Sequence, residues 1–458
     1  MPRLTAALDR RLVLRGLAAL PLAAALPRPL RAAEGEAILL AIADLHSPYA
    51  RLPALLQTIR SIRAEAGGRP VAMLINGDVF ERGNVVATRS GAAADWAFLR
   101  AVAAEMPLVI NLGNHETAIL DDMASFVARA TEIGAQPVGN LVDRRTGRFF
   151  APVSARLGLG ALDVAVLGIG TDNPFVYRQP ARDTLTLLDP AAFAEDAFAE
   201  ATGGAALPVL ASHAGVAADK RILPGLPEGS VAIGAHDHLA LRHEAGGVRY
   251  LHGGAWGGQL AVMHLARTGE GVAVETEMRA IGPDGGDAAL AAEIEALKAE
   301  HLTEADRAVI AERAEALDLP ASILLAAEAV RAATGADIAF LGHTTFGAPL
   351  AAGPLTRYDF DAFIRFDGDI HVAEIPGATL ARIMTRANQH RAASLDARTG
   401  DFVHAAEIDI DPAATYRVAT NGWTAMNQQS YLGTDGIDFR PVEGARLKAI
   451  VAEALAAG

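Results

Sequence analysis

Five stretches of this 458-residue chain end an apolar run in side chains that bind metal ions. Ile38 to Ala43 runs into Asp44-Leu45-His46, and Val71 to Ile75 into Asn76-Gly77-Asp78. Leu108-Val109-Ile110 leads to Asn111-Leu112-Gly113-Asn114-His115-Glu116. Leu207 to Ala211 leads to Ser212-His213, and Val231 to Ile233 to Gly234-Ala235-His236-Asp237-His238. Carboxylate, amide oxygen and imidazole suit divalent ions when rigid elements hold them and leave positions open for water and substrate. Asp44 and His46 are two apart, as are His236 and His238, so extended backbone turns each pair to one side. Gly77 allows close approach of backbone or ligand to Asp78, the natural bridging carboxylate. Each segment alone is weak. The ordered set is the inventory of a two-metal hydrolase: Asp44, His46, Asp78, Asn114, His213, His236 and His238. Two divalent ions are expected, Mn²⁺, Zn²⁺ or Fe, because imidazole disfavours Mg²⁺ and Ca²⁺.

The elements that must position these residues alternate. Between 38 and 281, apolar strands are separated by amphipathic helices such as 52–66 and 92–104, which predicts an α/β layered domain with ligands outside the strand ends. Consecutive short strands at 248–251, 260–265 and 272–276 predict one antiparallel edge. Gly282-Pro283-Asp284-Gly285-Gly286 marks a break. A helical run at 288–315 follows, rich in Ala, Glu and Leu, and reads as a bridging helix or helix pair between the domains. The remainder opens with a helix at 321–334 and a strand at 337–341. Strands at 371–375, 407–410 and 416–420 are interleaved with helices at 377–389 and 444–456. The resulting division is 1–33, 34–282, 283–318 and 319–458.

Length alone makes two domains the default. A hydrophobic fraction of 51% is ample for large cores. The net charge of −14 argues against a nucleic-acid polymer or an anionic membrane as partner, but not against a small phosphoester, since bound cations reverse the local field. The absence of cysteine removes disulfides, thiolate catalysis and Cys-type zinc sites. Arg10-Arg11 followed by the apolar stretch from Gly16 to Leu26 resembles a twin-arginine export signal, which is an address and not an anchor. That run is too short to span a bilayer comfortably. A periplasmic or secreted protein is the expectation.

The order Asp-x-His, Gly-Asp, Gly-Asn-His-Glu, His, Gly-x-His-x-His closely resembles the calcineurin-like metallophosphoesterases. The two-domain layout resembles their 5′-nucleotidase branch, as do the segments 358–377 and 416–436 with Gly433-Thr434-Asp435-Gly436. The resemblance implies a four-layer α/β sandwich of two sheets flanked by helices, with a second, α+β, substrate domain. It implies that Asp44, His46, Asp78 and His238 hold one ion, and Asp78, Asn114, His213 and His236 the other. His115 and Asp78 would be the catalytic residues, with His115 stabilising the transition state or protonating the leaving oxygen. Asn140 matches an asparagine near the substrate phosphate.

The chain departs from that pattern in places. The family's motif continues to an aspartate that pairs with the histidine; here that position is Ala118, and Glu116, Asp121 or Asp122 must substitute, or His115 works without a carboxylate. An arginine of the second domain is replaced by Gly347, and a base-stacking aromatic by Ile437. Arg391 and Arg365 are candidate phosphate clamps, because a guanidinium can bind phosphate with two bonds. Trp423, Tyr431, Phe439 or Phe346 could supply the aromatic ring, Trp423 and Phe439 being the substrate-binding candidates carried forward. The leading expectation is an exported phosphomonoester hydrolase of the 5′-nucleotidase type. The rivals are the same scaffold acting on phosphodiesters, sugar phosphates or a sulfur-linked sulfonate, and a metal-binding protein without turnover.

Overall fold

Alternation along single strands decides the layering of the first domain. In Glu36–Ala43, the side chains of Ile38, Leu40 and Ile42 enter one core, and those of Ala37, Leu39 and Ala41 enter another. A strand buried on both faces is a nearly continuous apolar run, as this one is. The computed structural model describes residues 35–457, so the expected export segment at 1–33 lies outside the described residues.

Glu36–Ala43 is central in a six-stranded sheet. Val71–Asn76, Leu108–Asn111 and Gln136–Val138 follow it in parallel, and the hairpin Gln259–Thr268/Gly271–Ala280 closes its other edge antiparallel. A second six-stranded sheet runs Ala240–Ala245, Val248–Gly253, Val231–Gly234, Leu207–His213, Leu162–Gly170 and Ser154–Leu159, with the middle four parallel. The sheets face each other across a core that includes Leu39, Leu74, Val109, Val166, Val209 and Ile233. Helices Leu52–Glu65, Ala93–Glu105, Met123–Glu132 and Ala288–His301 cover the first sheet, and Pro190–Thr202 and Val216–Ile222 the second. This is a four-layer sandwich.

Two fully buried asparagines clip the sheets together just below the ligand-bearing ends. Asn111 Nδ2 donates to Asn76 Oδ1 at 2.8 Å, to the Ile169 carbonyl at 2.9 Å and to the Ala211 carbonyl at 3.0 Å. Asn76 Nδ2 donates to the Ser212 and Ile233 carbonyls at 3.0 and 2.7 Å.

The second domain is α+β. A mixed five-stranded sheet runs Val403–His404, Ile338–Gly342, Thr415–Asn421, Asp369–Pro376 and Arg440–Arg446. Helices Leu319–Thr334 and Leu447–Ala457 pack on one face, and Gly377–Met384 on the other.

Several local expectations change. The helical run at 288–315 stops at His301, after which Thr303 caps a separate one-turn helix. Val309–Arg313 is a strand paired with Gly353–Thr356, so tertiary pairing overrides the Ala/Glu composition. The helix Ala288–His301 is also not a free bridge, because Leu290 and Ile294 enter the first domain's core. No strand forms at 407–410, and 440–446 is a strand that precedes the last helix. Among the described residues, no helix is long and apolar enough to cross a membrane.

The domains meet through apolar and polar contacts. Leu395 and Phe402 of the second domain share a core with Val216, Ile222 and Tyr250 of the first. Lys220 Nζ donates to the carbonyls of Asp396 and Arg398 at 3.1 and 3.2 Å.

Candidate metal centre

All five ligand-bearing strand ends point to one place between the domains. The backbone must turn sharply there, and it does so at residues other than glycine. Asp44, His46, Asp78, His236 and His238 all have positive φ, from +50° to +80°. Such conformations cost of order 1–3 kcal/mol each and persist where surrounding structure enforces them, as at functional sites. Close packing enforces them here. A Cβ on Gly77 would stand 2.5 Å from His213 Nδ1, and one on Gly113 would stand 2.7 Å from the Asp78 nitrogen.

The donor atoms form overlapping groups, each within 4.8 Å: Asp44 with His46 and His238, and Asp78 with His213 and His236. A third group joins Asp78 to His46 and His115, so Asp78 stands between the two ends of the site. Asp78 Oδ1 lies 3.2 Å from His213 Nε2, and Oδ2 lies 3.7 Å from His46 Nε2. Second partners fix these groups. His213 Nδ1 meets the Asn76 carbonyl at 2.8 Å, which turns Nε2 toward Asp78. Asn114 Nδ2 meets the Val176 carbonyl at 3.4 Å, while its Oδ1 is buried without a hydrogen-bond partner, as is His213 Nε2. Asp44 accepts the His236 backbone N–H at 3.0 Å, and Asp78 accepts that of His115 at 2.7 Å.

Electrostatics suit cations. Burial holds the imidazoles of His46, His236 and His238 below the ordinary histidine range, His236 at about 3, so these rings are neutral. Burial also pushes Asp78 up, but His213, His115 and His46 outweigh it and hold that carboxyl well below its usual range. For His213, burial is outweighed by Asp78 and Asp44, which lift it to about 10. A carboxylate–imidazole cage of this kind, with orphaned oxygen and nitrogen atoms, fits divalent metal.

His115 lies at the edge of the cage, and none of the carboxylates expected to replace the missing partner at Ala118 is beside it. Glu116 accepts the Val79 N–H at 3.1 Å, Asp121 pairs with Arg178, and Asp122 caps the helix Met123–Glu132. The nearby carboxylate is Glu81, with Oε2 3.7 Å from His115 Nδ1 and 3.4 Å from His46 Nδ1. Glu81 is bound in turn by Arg365 from the second domain. Trp256 stacks on His46, ring centroids 5.0 Å apart. Neither Glu81 nor Trp256 carries a local sequence signal.

Above the cage opens a cavity of about 760 Å³ between the domains. Asp78, Asn114, His115, His236 and His238 line its floor, and Arg365 and Trp423 its second-domain wall. Phe175, Arg178, Arg182, Phe366 and Tyr431 line it too and were not singled out from sequence, apart from Tyr431. The remaining candidates lie elsewhere. Asn140 is buried and accepts the Gly170 N–H at 2.8 Å. Arg391 is exposed and pairs with Glu407. Phe439 packs against the second domain's core, and Phe346 is buried within it.

The comparisons with known proteins agree with this architecture. The family model for calcineurin-like phosphoesterases matches residues 38–238, and that for the 5′-nucleotidase C-terminal domain matches residues 305–434. No curated protein matches the sequence. Among solved structures, a 5′-nucleotidase precursor from Thermus thermophilus superposes with TM-score 0.63 at 18% identity, over 92% of this chain and 96% of that one. The sulfate thiohydrolase SoxB of the same organism gives 0.66 at 17%, over 92% and 94%. A 5′-nucleotidase from Candida albicans gives 0.58 at 13%, over 94% and 99%. These likenesses show a shared fold. With its two family matches in this order, the chain belongs to the calcineurin-like metallophosphoesterases with the two-domain architecture of the 5′-nucleotidase family.

Proposed function

We propose that this protein is an exported, two-metal phosphoester hydrolase of the 5′-nucleotidase type. The observation that carries the reading is the pair of donor groups flanking Asp78 at the floor of an open cavity. Asp44, His46, Asp78 and His238 would hold one ion, and Asp78, Asn114, His213 and His236 the second, with Mn²⁺, Zn²⁺ or Fe as candidates. Metal bound there supplies charge neutralisation at the phosphoryl oxygens and activation of water. The chain's own residues do the rest. The cavity admits a small phosphoester to the open side of Asn114, and His115 stands where it can assist the transition state or hand a proton to the leaving oxygen.

Base recognition is where specificity is weakest. Arg391 and Phe439 lie outside the cavity, whereas Trp423 lines it with 39% of its surface exposed. The deciding experiment is a screen of the metal-reconstituted protein with nucleotides, diesters, sugar phosphates and an aryl phosphate. Turnover of the aryl phosphate is expected, with only a modest kcat/KM advantage for AMP. A large AMP advantage lost in Trp423→Ala would show that aromatic stacking selects the substrate. No turnover of any phosphoester would remove the hydrolase reading.

A further inference from the structure

The second domain contributes a buried cation to the first domain's reaction centre, and the way its bonds are committed indicates what it does. Arg365 is 7% exposed. Its Nε donates to Glu81 Oε2 at 2.8 Å, and Nη2 forms an ion pair with the same oxygen at 2.7 Å. Nη2 is also 3.2 Å from His115 Nε2 and 3.4 Å from His46 Nδ1, and Nη1 faces the Thr344 carbonyl at 3.4 Å. The guanidinium is held between rings, its carbon 5.3 Å from the centroid of Trp256 and 4.9 Å from that of Phe366. Its backbone N–H donates to the Thr345 carbonyl at 3.1 Å.

Glu81 is fixed just as completely. Its other oxygen, Oε1, accepts the Gly83 N–H at 2.7 Å, and the residue is 1% exposed. A carboxylate this buried needs a paired cation, and Arg365 is that cation. Glu81 Oε2 stands 3.7 Å from His115 Nδ1 and Arg365 Nη2 3.2 Å from Nε2, and with these two atoms 2.7 Å apart the pair meets the imidazole along one side. Position 118 cannot do this, since Ala118 is packed into the first core. Position 347 cannot supply the cation either. A Cβ on Gly347 would stand 2.6 Å from Trp256 Cζ2 and 2.5 Å from the Ala362 carbonyl.

Resting on the hydrolase reading above, we propose that Arg365, itself held by Glu81, is the positioning residue for His115, so that the second domain completes the reaction centre of the first. A phosphate clamp is the competing role. It would need two adjacent free N–H groups, but Nε is committed to Glu81 and Nη2 is engaged by His115 and His46 beside its ion pair with Glu81.

The test compares Arg365→Met, Arg365→Lys, Glu81→Gln and His115→Ala, with the double variant His115→Ala/Arg365→Met, all as full-length, Zn²⁺-loaded protein. Arg365→Met is expected to lower kcat for an aryl phosphate ~10–100-fold with KM nearly unchanged. Arg365→Lys should fall between it and the parent protein, and it carries the test if the methionine variant does not fold. At equal metal content, checked by elemental analysis because Arg365 also touches His46, the double variant should be no slower than His115→Ala alone. A raised KM, weakened inhibition by inorganic phosphate and multiplied losses in the double variant would overturn the proposal in favour of a clamp. ¹⁵N-histidine spectra give a readout independent of turnover. The His115 ring is expected to change tautomer balance in Arg365→Met and Glu81→Gln, and an unchanged ring would overturn the positioning role even if no phosphoester proved to be a substrate.

Discussion

Asp78 groups with His213 and His236 on one side and with His46 on the other, its two carboxylate oxygens turned to different ends of the site. Asp78→Asn keeps the shape but removes the charge that both ends share, so metal content should fall at both sites and turnover should disappear. Elemental analysis showing two retained ions in an active Asp78→Asn protein would refute the bridging role. His115→Ala should keep its metal and lose rate, ~10²-fold or more if the ring transfers a proton. Unchanged turnover would leave His115 a structural residue. The two variants thus separate holding metal from using it. Left-handed backbone at Asp44, His46, Asp78, His236 and His238 adds a constraint of its own, held at Asp78 by the close packing of Gly113 and at His236 by the Asp44 carboxylate.

At the scale of elements, the Asn76–Asn111 clip links the ends of both sheets, directly beneath the site. Asn111 precedes Asn114 by three residues, and the Asn76 carbonyl orients His213. Asn111→Ala removes one buried amide and strands the Asn76 side-chain oxygen and two main-chain carbonyls without their donor. A loss of about 2 kcal/mol is expected from unsatisfied buried groups, measurable by urea unfolding, together with weaker metal binding by titration. Unfolding at the parent midpoint with full metal affinity would show that the apolar core between the sheets sets their separation without the clip.

At the scale of the molecule, the second domain is not tethered only through its linker. Phe402 is fully buried among first-domain side chains and stacks on His343, ring centroids 4.5 Å apart. Phe402→Ala should cost about 3–5 kcal/mol, as buried phenylalanine deletions do. It should also separate a first-domain unfolding transition from the second if that contact couples them, and calorimetry would reveal the split. A single unshifted transition would place the coupling elsewhere. Export belongs to this scale too. Replacing Arg10 and Arg11 together with lysine should retain a precursor in the cytoplasm, whereas normal export of that variant would indicate another route.

The sequence by itself determined the layered first domain and which polar side chains stand at its strand ends, because both follow from short-range rules. Strands buried on both faces are continuous apolar runs, and polar side chains appear where such runs end. The same rules misjudged 288–315, where Ala and Glu favour helix but pairing with Gly353–Thr356 makes residues 309–313 a strand. They also gave no account of Leu162–Gly170, whose place in the second sheet depends on its neighbours. Two arginines show the limit most clearly. Arg365 and Arg391 were equal candidates by residue type, yet one is buried against Glu81 and His115 and the other pairs with Glu407 in solvent. Only tertiary structure separates them. Arg365 lies 284 residues from Glu81 and 250 from His115, and no local pattern records a meeting over such distances.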